Sequence, residues 1–215
     1  MVNPTGQAPA QGAGLQDPHN AQGPPYPPYP SGVYDNYQHP VPSVVAATFP
    51  REHCNTIQGA LTSGTLYVCQ FGGVAGTVIT NAAAITATTA KTGGSHGWYV
   101  VTDTTLTVLG VTADQTDAAT VWGAASTIYP LAFSQPFILP YTGAYYFGIC
   151  VVASQRPTFG GAASILAGVS AGTGATSPVI LSASSGTSLT TPPAAGSVIG
   201  ALSAVSNFLP YVYFT

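Results

Sequence analysis

Only 4% of the 215 residues are Asp, Glu, Lys or Arg, against roughly 25% in an ordinary soluble domain. The three basic residues, Arg51, Lys91 and Arg156, are scattered along the chain, which excludes the clustered phosphate-neutralising cations that hold nucleic acid or an acidic membrane surface. A composition 46% hydrophobic and nearly chargeless is also not that of a disordered polymer. The chain is expected to fold and, with Thr, Ser, Gln, Asn and Gly where charges usually stand, to associate.

The first segment, to about residue 50, is rich in Pro, Gly, Gln and Tyr and centres on Pro24-Pro25-Tyr26-Pro27-Pro28-Tyr29-Pro30. Proline at that density rules out a helix or a central strand and favours an extended polyproline II path. Residues 1–56 are therefore read as an anchoring arm. Tyr26, Tyr29, Tyr34 and Tyr37 provide the rings that would grip a partner, and a plain flexible linker is the alternative. No basic stretch precedes an apolar one at the N-terminus, so no signal peptide is expected. No apolar run is long enough for a membrane span, so no insertion is expected either.

Beyond Thr56 the texture changes to short runs of Val, Ile, Thr, Tyr and Phe broken by Gly, Ser, Asn or Pro. The predicted strands are 65–71, 76–80, 98–102, 106–111, 133–139, 144–152, 179–182 and 209–214. The nearest approach to a helical pattern, residues 81–90, is loaded with β-branched Thr and Ile. Residues 57–215 are thus expected to form an all-β sandwich or barrel. The run from Tyr145 to Val152 is apolar on both faces, as befits a strand covered on both sides, by a second sheet and by another subunit. Residues 162–206, full of Gly, Ala, Ser and Thr, are expected to hold long loops.

Residues able to carry chemistry are few. Cys54, Cys69 and Cys150 form an odd set without a CxxC pair, and read as reduced thiols, two of them in apolar strands. His53, Cys54, Cys69 and His96 lack the spacing of a zinc site, so no metal and no cofactor are expected. Gly160-Gly161-Ala162-Ala163-Ser164 is not a nucleophile elbow. Asp103, Asp114 and Asp117 read as turn formers rather than paired carboxylates. Gly72-Gly73 and Gly93-Gly94 read as turns rather than phosphate loops. Trp98, Tyr99, Trp122, Tyr145 and Tyr146 are candidates for a glycan-stacking platform, with core and subunit-interface packing as the weightier alternative. No catalytic residue is nominated.

An ordered set of small motifs carries a resemblance. It runs from Leu61-Thr62-Ser63-Gly64-Thr65-Leu66-Tyr67 through Gly76-Thr77-Val78-Ile79-Thr80 to His96-Gly97-Trp98-Tyr99-Val100-Val101-Thr102-Asp103. It continues in Pro140-Tyr141-Thr142-Gly143-Ala144-Tyr145-Tyr146-Phe147-Gly148-Ile149, Arg156-Pro157-Thr158-Phe159-Gly160-Gly161 and Leu209-Pro210-Tyr211-Val212-Tyr213. Over residues 57–215 this resembles small virion proteins of tailed actinobacterial phages, of the minor tail or fibre type; the arm is not covered. Where such proteins show a Leu-Tyr-Asp-like turn, this chain has Val100-Val101-Thr102-Asp103.

The resemblance implies a jelly-roll-like sandwich and a non-enzymatic virion protein made in the host cytoplasm. Its expected partners are further copies of itself in a homotrimer, tail or major capsid proteins, and, for a tail component, host cell-envelope glycan. A capsid decoration protein and a carbohydrate-binding module are the alternatives.

Overall fold

The computed structural model describes residues 44–50, 54–116, 121–162, 182–204 and 209–215. Within them the chain forms thirteen strands and no helix: β1 Ala46–Ala47, β2 Asn55–Ala60, β3 Leu66–Gly73, β4 Val78–Ile85, β5 Thr92–Thr102, β6 Val108–Val111, β7 Ile128–Ile138, β8 Gly143–Gln155, β9 Thr158–Ala162, β10 Ser182–Ser185, β11 Ser203–Ala204, β12 Leu209–Pro210 and β13 Val212–Phe214. All pairings are antiparallel. One sheet has the order β1-β13-β4-β7, a second β11-β10-β3-β8-β5-β6, and a third, smaller one β12-β9-β2. This arrangement is consistent with a β-sandwich.

Period-two alternation places the core between the first two sheets. The six-stranded sheet contributes Phe71 from β3, Tyr99 and Val101 from β5, and Tyr145, Phe147, Ile149 and Val151 from β8. The four-stranded sheet contributes Ile79, Ala82, Leu131, Phe133, Val212 and Phe214. Phe214 stacks on Phe71 at 4.4 Å between ring centroids and meets Phe147 edge-on at 5.8 Å, joining the two sheets through aromatic contacts.

The opposite set of side chains on the six-stranded sheet is just as apolar. Leu66, Val68, Trp98, Val100, Tyr146 and Cys150 form a second buried cluster on its outer side. The covering layer is the chain itself: residues 186–202 cross this face and lay Leu189, Ile199 and Leu202 on it. Backbone bonds pin the cover, with Ser197 O accepting from Val108 N at 2.8 Å, Leu106 O from Ile199 N at 3.0 Å and Gly64 O from Leu189 N at 2.8 Å. The two-faced apolar run in β8 thus has a second sheet on one side and its own chain on the other. Gly148 makes room for this: a Cβ there would stand 2.6 Å from Val100 Cγ1.

Several boundaries differ from expectation. β4 runs on to Ile85 because Asn81–Ile85 pairs with β7 on one side and, through Ala82–Ala84, with β13 on the other. Gly93 and Gly94 lie inside β5, beside a bulge at Gly94–His96, and Gly72 and Gly73 pair with Ala144 and Gly143 in β8; none of them is a turn. The ladder reaches back to β1, whose Ala46 and Ala47 pair with Phe214 and Tyr213, inside the span assigned to the arm. Thr48 secures this edge by donating to Pro210 O at 2.9 Å and accepting from Val212 N at 3.0 Å. The strand expected at 179–182 lies outside the described residues except for Ser182, which opens β10.

Candidate functional site

Tyr26, Tyr29, Tyr34 and Tyr37 lie outside the described residues. The five aromatics put forward as a platform or interface are all buried within the chain. A sugar ring stacks on an exposed aromatic face, and none of the five has one, so the glycan platform is set aside. Trp98 and Tyr146 belong to the cluster beneath residues 186–202, whereas Tyr99, Trp122 and Tyr145 belong to the inter-sheet core.

Trp122, with a left-handed φ of 60°, is held by its indole N–H donating to Tyr99 Oη at 3.0 Å. Its ring also lies 5.3 Å from the Lys91 ammonium, a cation–π contact. Gly97 permits the packing, since a Cβ there would stand 2.4 Å from the Trp122 ring. Tyr145 stacks on Tyr141 at 4.7 Å, and its hydroxyl accepts from Tyr141 N at 3.0 Å and donates to Tyr141 O.

The charged groups of the described residues are Lys91, Asp103, Asp114 and Arg156, and three of them are committed inside the fold. Lys91 is buried against Trp122. Asp103 Oδ1 accepts from Thr105 N at 2.8 Å, Thr105 Oγ1 at 2.7 Å and Thr107 N at 2.9 Å, closing the turn between β5 and β6. That is the turn-forming role read from the sequence.

Asp114 pairs with His96 Nδ1 at 2.7 Å and takes the Gly97 N–H at 3.0 Å. The pair straps the segment after β6 onto β5, where Gln115 N also donates to Gly97 O at 2.7 Å. The role of Asp114 is therefore a cross-strand strap rather than a hairpin turn. Asp117 and His53 lie outside the described residues.

Cys69 and Cys150 are buried thiols and Cys54 is half-buried. Loss of water pushes the Cys150 thiol up to about 12, with the nearby Asp114 carboxylate adding to the effect, and pushes Cys69 upward as well. Tyr99 is also raised by burial, against the opposing hydrogen bond from Trp122. No group of three or more His, Cys, Asp or Glu side chains able to hold a metal occurs among the described residues. No helix of the described residues is long and apolar enough to cross a membrane.

One surface stands out that the sequence reading did not single out. On the outer side of the four-stranded sheet the register places Val78 opposite Ile138, Asn81 opposite Ala132, Ala83 opposite Pro130 and Ile85 opposite Ile128, with Tyr213 beside Ala83 and Ala47 beside Tyr213. None of these side chains is charged. The signal was present in Ile128-Tyr129-Pro130-Leu131, apolar at both parities like β8 but masked as loop by Pro130, and in Phe137-Ile138 within the strand expected at 133–139.

Fold and site together define a class: an all-β protein of several antiparallel sheets whose described charges are largely consumed internally. Comparisons of the chain with family models, curated proteins and solved structures return no match.

Proposed function

We propose that this chain is a non-enzymatic structural protein of a phage particle, of the minor tail or fibre type. In this reading residues N-terminal to β1 anchor it, and the sandwich, with jelly-roll-like connections, projects as part of a homotrimer. The carrying observation is electrostatic. Lys91, Asp103 and Asp114 are engaged within the fold, leaving Arg156 as the further charge of the described residues, whose surface is otherwise one of hydroxyls, amides, backbone and apolar side chains. Such a surface offers no field to steer a charged ligand and no like-charge repulsion to keep copies apart. It suits a component that spends its working life in an assembly.

Two further considerations support the reading. The order of motifs from Leu61 to Tyr213 resembles virion proteins of this type, and the first 43 residues contain no Lys or Arg but ten or more prolines and tyrosines together, including Tyr26, Tyr29, Tyr34 and Tyr37, which suits adhesion through rings and backbone rather than charge.

The test is incorporation. Phage carrying this chain without residues 1–43, a cut that spares β1, should yield particles lacking the protein although the truncated chain folds. Full-length labelled chain should appear on the tail. Normal incorporation of the truncated chain would refute the anchoring role, and label on the head would reassign the protein to capsid decoration.

A further inference from the structure

The sandwich has two outer sides, and they are finished differently. Over the six-stranded sheet the cluster around Trp98, Val100 and Tyr146 is sealed by residues 186–202 of the same chain. Over the four-stranded sheet no described segment plays that part. Among the described residues, four of the five exposed large hydrophobic ones lie there: Val45 at 37%, Val78 at 49%, Ile128 at 46% and Ile138 at 61% of full exposure. Val78 and Ile138 are direct cross-strand partners at one end of the face, Ile128 stands opposite Ile85 at the other, and Val45 borders it next to β1.

Exposed apolar side chains are ordinary when scattered, but four of them on one uncharged sheet face, flanking the buried Ala83 and Ala47, mark a place where another surface docks. The composition of this face narrows the occupant. It carries no Asp, Glu, Lys or Arg, so a charged partner would lose hydration and gain nothing in return. A second copy of this chain, itself almost without charge, meets it at no such cost.

The edge of the sheet points the same way. β7 is a terminal strand of its sheet and carries Pro130 and Pro136. Prolines cannot donate to a new ladder, so strand addition along β7 is blunted. The size is adequate: β7, with 11 residues, runs ~36 Å at ~3.3 Å per residue. Narrowing toward β1, the face offers on the order of 500 Å² per copy, about what a specific paired interface of ~1,000 Å² in total requires.

We infer that the outer face of the β1-β13-β4-β7 sheet is the surface through which copies of this chain meet. The inference rests on the proposed self-assembly of a structural protein and adds the surface that mediates it. Ile128 and Ile138 are its principal contacts, one at each end of the face, since each stands in the long strand with its side chain in water.

The experiment is sedimentation equilibrium on the full-length chain over a concentration series, with I128E and I138E, alone and together, and V198E as the control. Val198 is 66% exposed but lies on the other side, in the segment covering the six-stranded sheet. Circular dichroism and melting establish that each variant folds. The wild type and V198E should form one discrete oligomer, and the face variants should associate on the order of 100-fold more weakly per buried carboxylate while keeping the wild-type spectrum.

Equal association of all variants would overturn the inference, and so would a wild type that stays monomeric at every concentration. Incorporation into particles, measured separately, would still decide the proposed function in either case. If the doubly substituted chain fails to fold, I138A alone, a pure truncation, must weaken association without changing the spectrum; unchanged association would again overturn the inference.

Discussion

The two outer sides of the sandwich are built from the same kind of sequence and end differently. On the six-stranded sheet, Leu66, Val68, Trp98, Val100, Tyr146 and Cys150 are closed off by residues 186–202, with Leu189, Ile199 and Leu202 as the inner surface of the cover. On the four-stranded sheet, Val78, Ile128 and Ile138 remain in water. The difference teaches that apolar periodicity reports that a face will be covered, and that only the path of the rest of the chain decides whether the cover is intramolecular. It also separates two energies. Truncation on the closed side is felt in folding, and truncation on the open side is felt in association.

The largest expected effect is on the closed side. Trp98→Ala removes the largest side chain of the outer cluster, and denaturant unfolding should show a loss of ~3–5 kcal/mol. A loss below ~1 kcal/mol would mean that the cover does not pack as described.

Alkali comes next. The Cys150 thiol is raised from 9.0 to about 12, so folding favours the protonated form. The stability tied to it is fully present below pH ~9 and is lost as pH rises toward 12. Buried Tyr99 and Cys69 are shifted in the same direction and extend the loss upward. Urea titrations at pH 7, 9, 10 and 11 should show stability flat to about pH 9 and falling thereafter by ~1.4 kcal/mol per pH unit for each raised thiol. In C150A the fall should be shallower. An identical slope in C150A would show that the thiol is not the group responsible.

A smaller effect is expected at the strap. Asp114→Asn removes the charge that pairs with His96 at 2.7 Å while leaving an amide oxygen for the Gly97 N–H. The cost should be ~1 kcal/mol, because the pair is partly exposed and solvent screens it. It should shrink further in 1 M salt, whereas a cost unaffected by salt would assign the strap to hydrogen bonding alone. The smallest effect sharpens the comparison from the open side: I138A should change the unfolding free energy of the dissociated chain by less than ~0.5 kcal/mol, in contrast with Trp98→Ala.

Much of this fold can be read from the residues. Within β3, β5 and β8, residues 66–71, 98–102 and 144–152 announce themselves through β-branched and aromatic residues, and the two-sided apolar run in β8 correctly demands cover on both faces. The cover over β3, β8 and β5 is harder to foresee, because residues 186–202 are mostly Gly, Ala, Ser, Thr and Pro and place only Leu189, Ile199 and Leu202 against the cluster.

β1 and β9 are invisible for a related reason. Ala46-Ala47 and Thr158-Phe159-Gly160-Gly161-Ala162 have little intrinsic strand preference and are strands because of their partners, Phe214 and Tyr213 for β1 and β2 and β12 for β9. Burial also decides what the conspicuous aromatics do. Trp98 and Trp122 are equally suited by type to a platform and to a core, and the fold places both in the interior. The roles of Asp103 and Asp114 are half legible: the first closes a turn within its own hairpin, whereas the second acts across the sheet, where spacing along the chain gives no hint.

The central claim is that one outer face is closed by the chain itself and the other by a further copy. Amide hydrogen exchange of the full-length protein, followed by mass spectrometry at high and low concentration, tests it most directly. The account predicts that dilution accelerates exchange in β4 and β7 while residues 186–202 and the strands beneath them keep their protection. Exchange in β4 and β7 that is independent of concentration, or a dilution effect centred on residues 186–202, would contradict it.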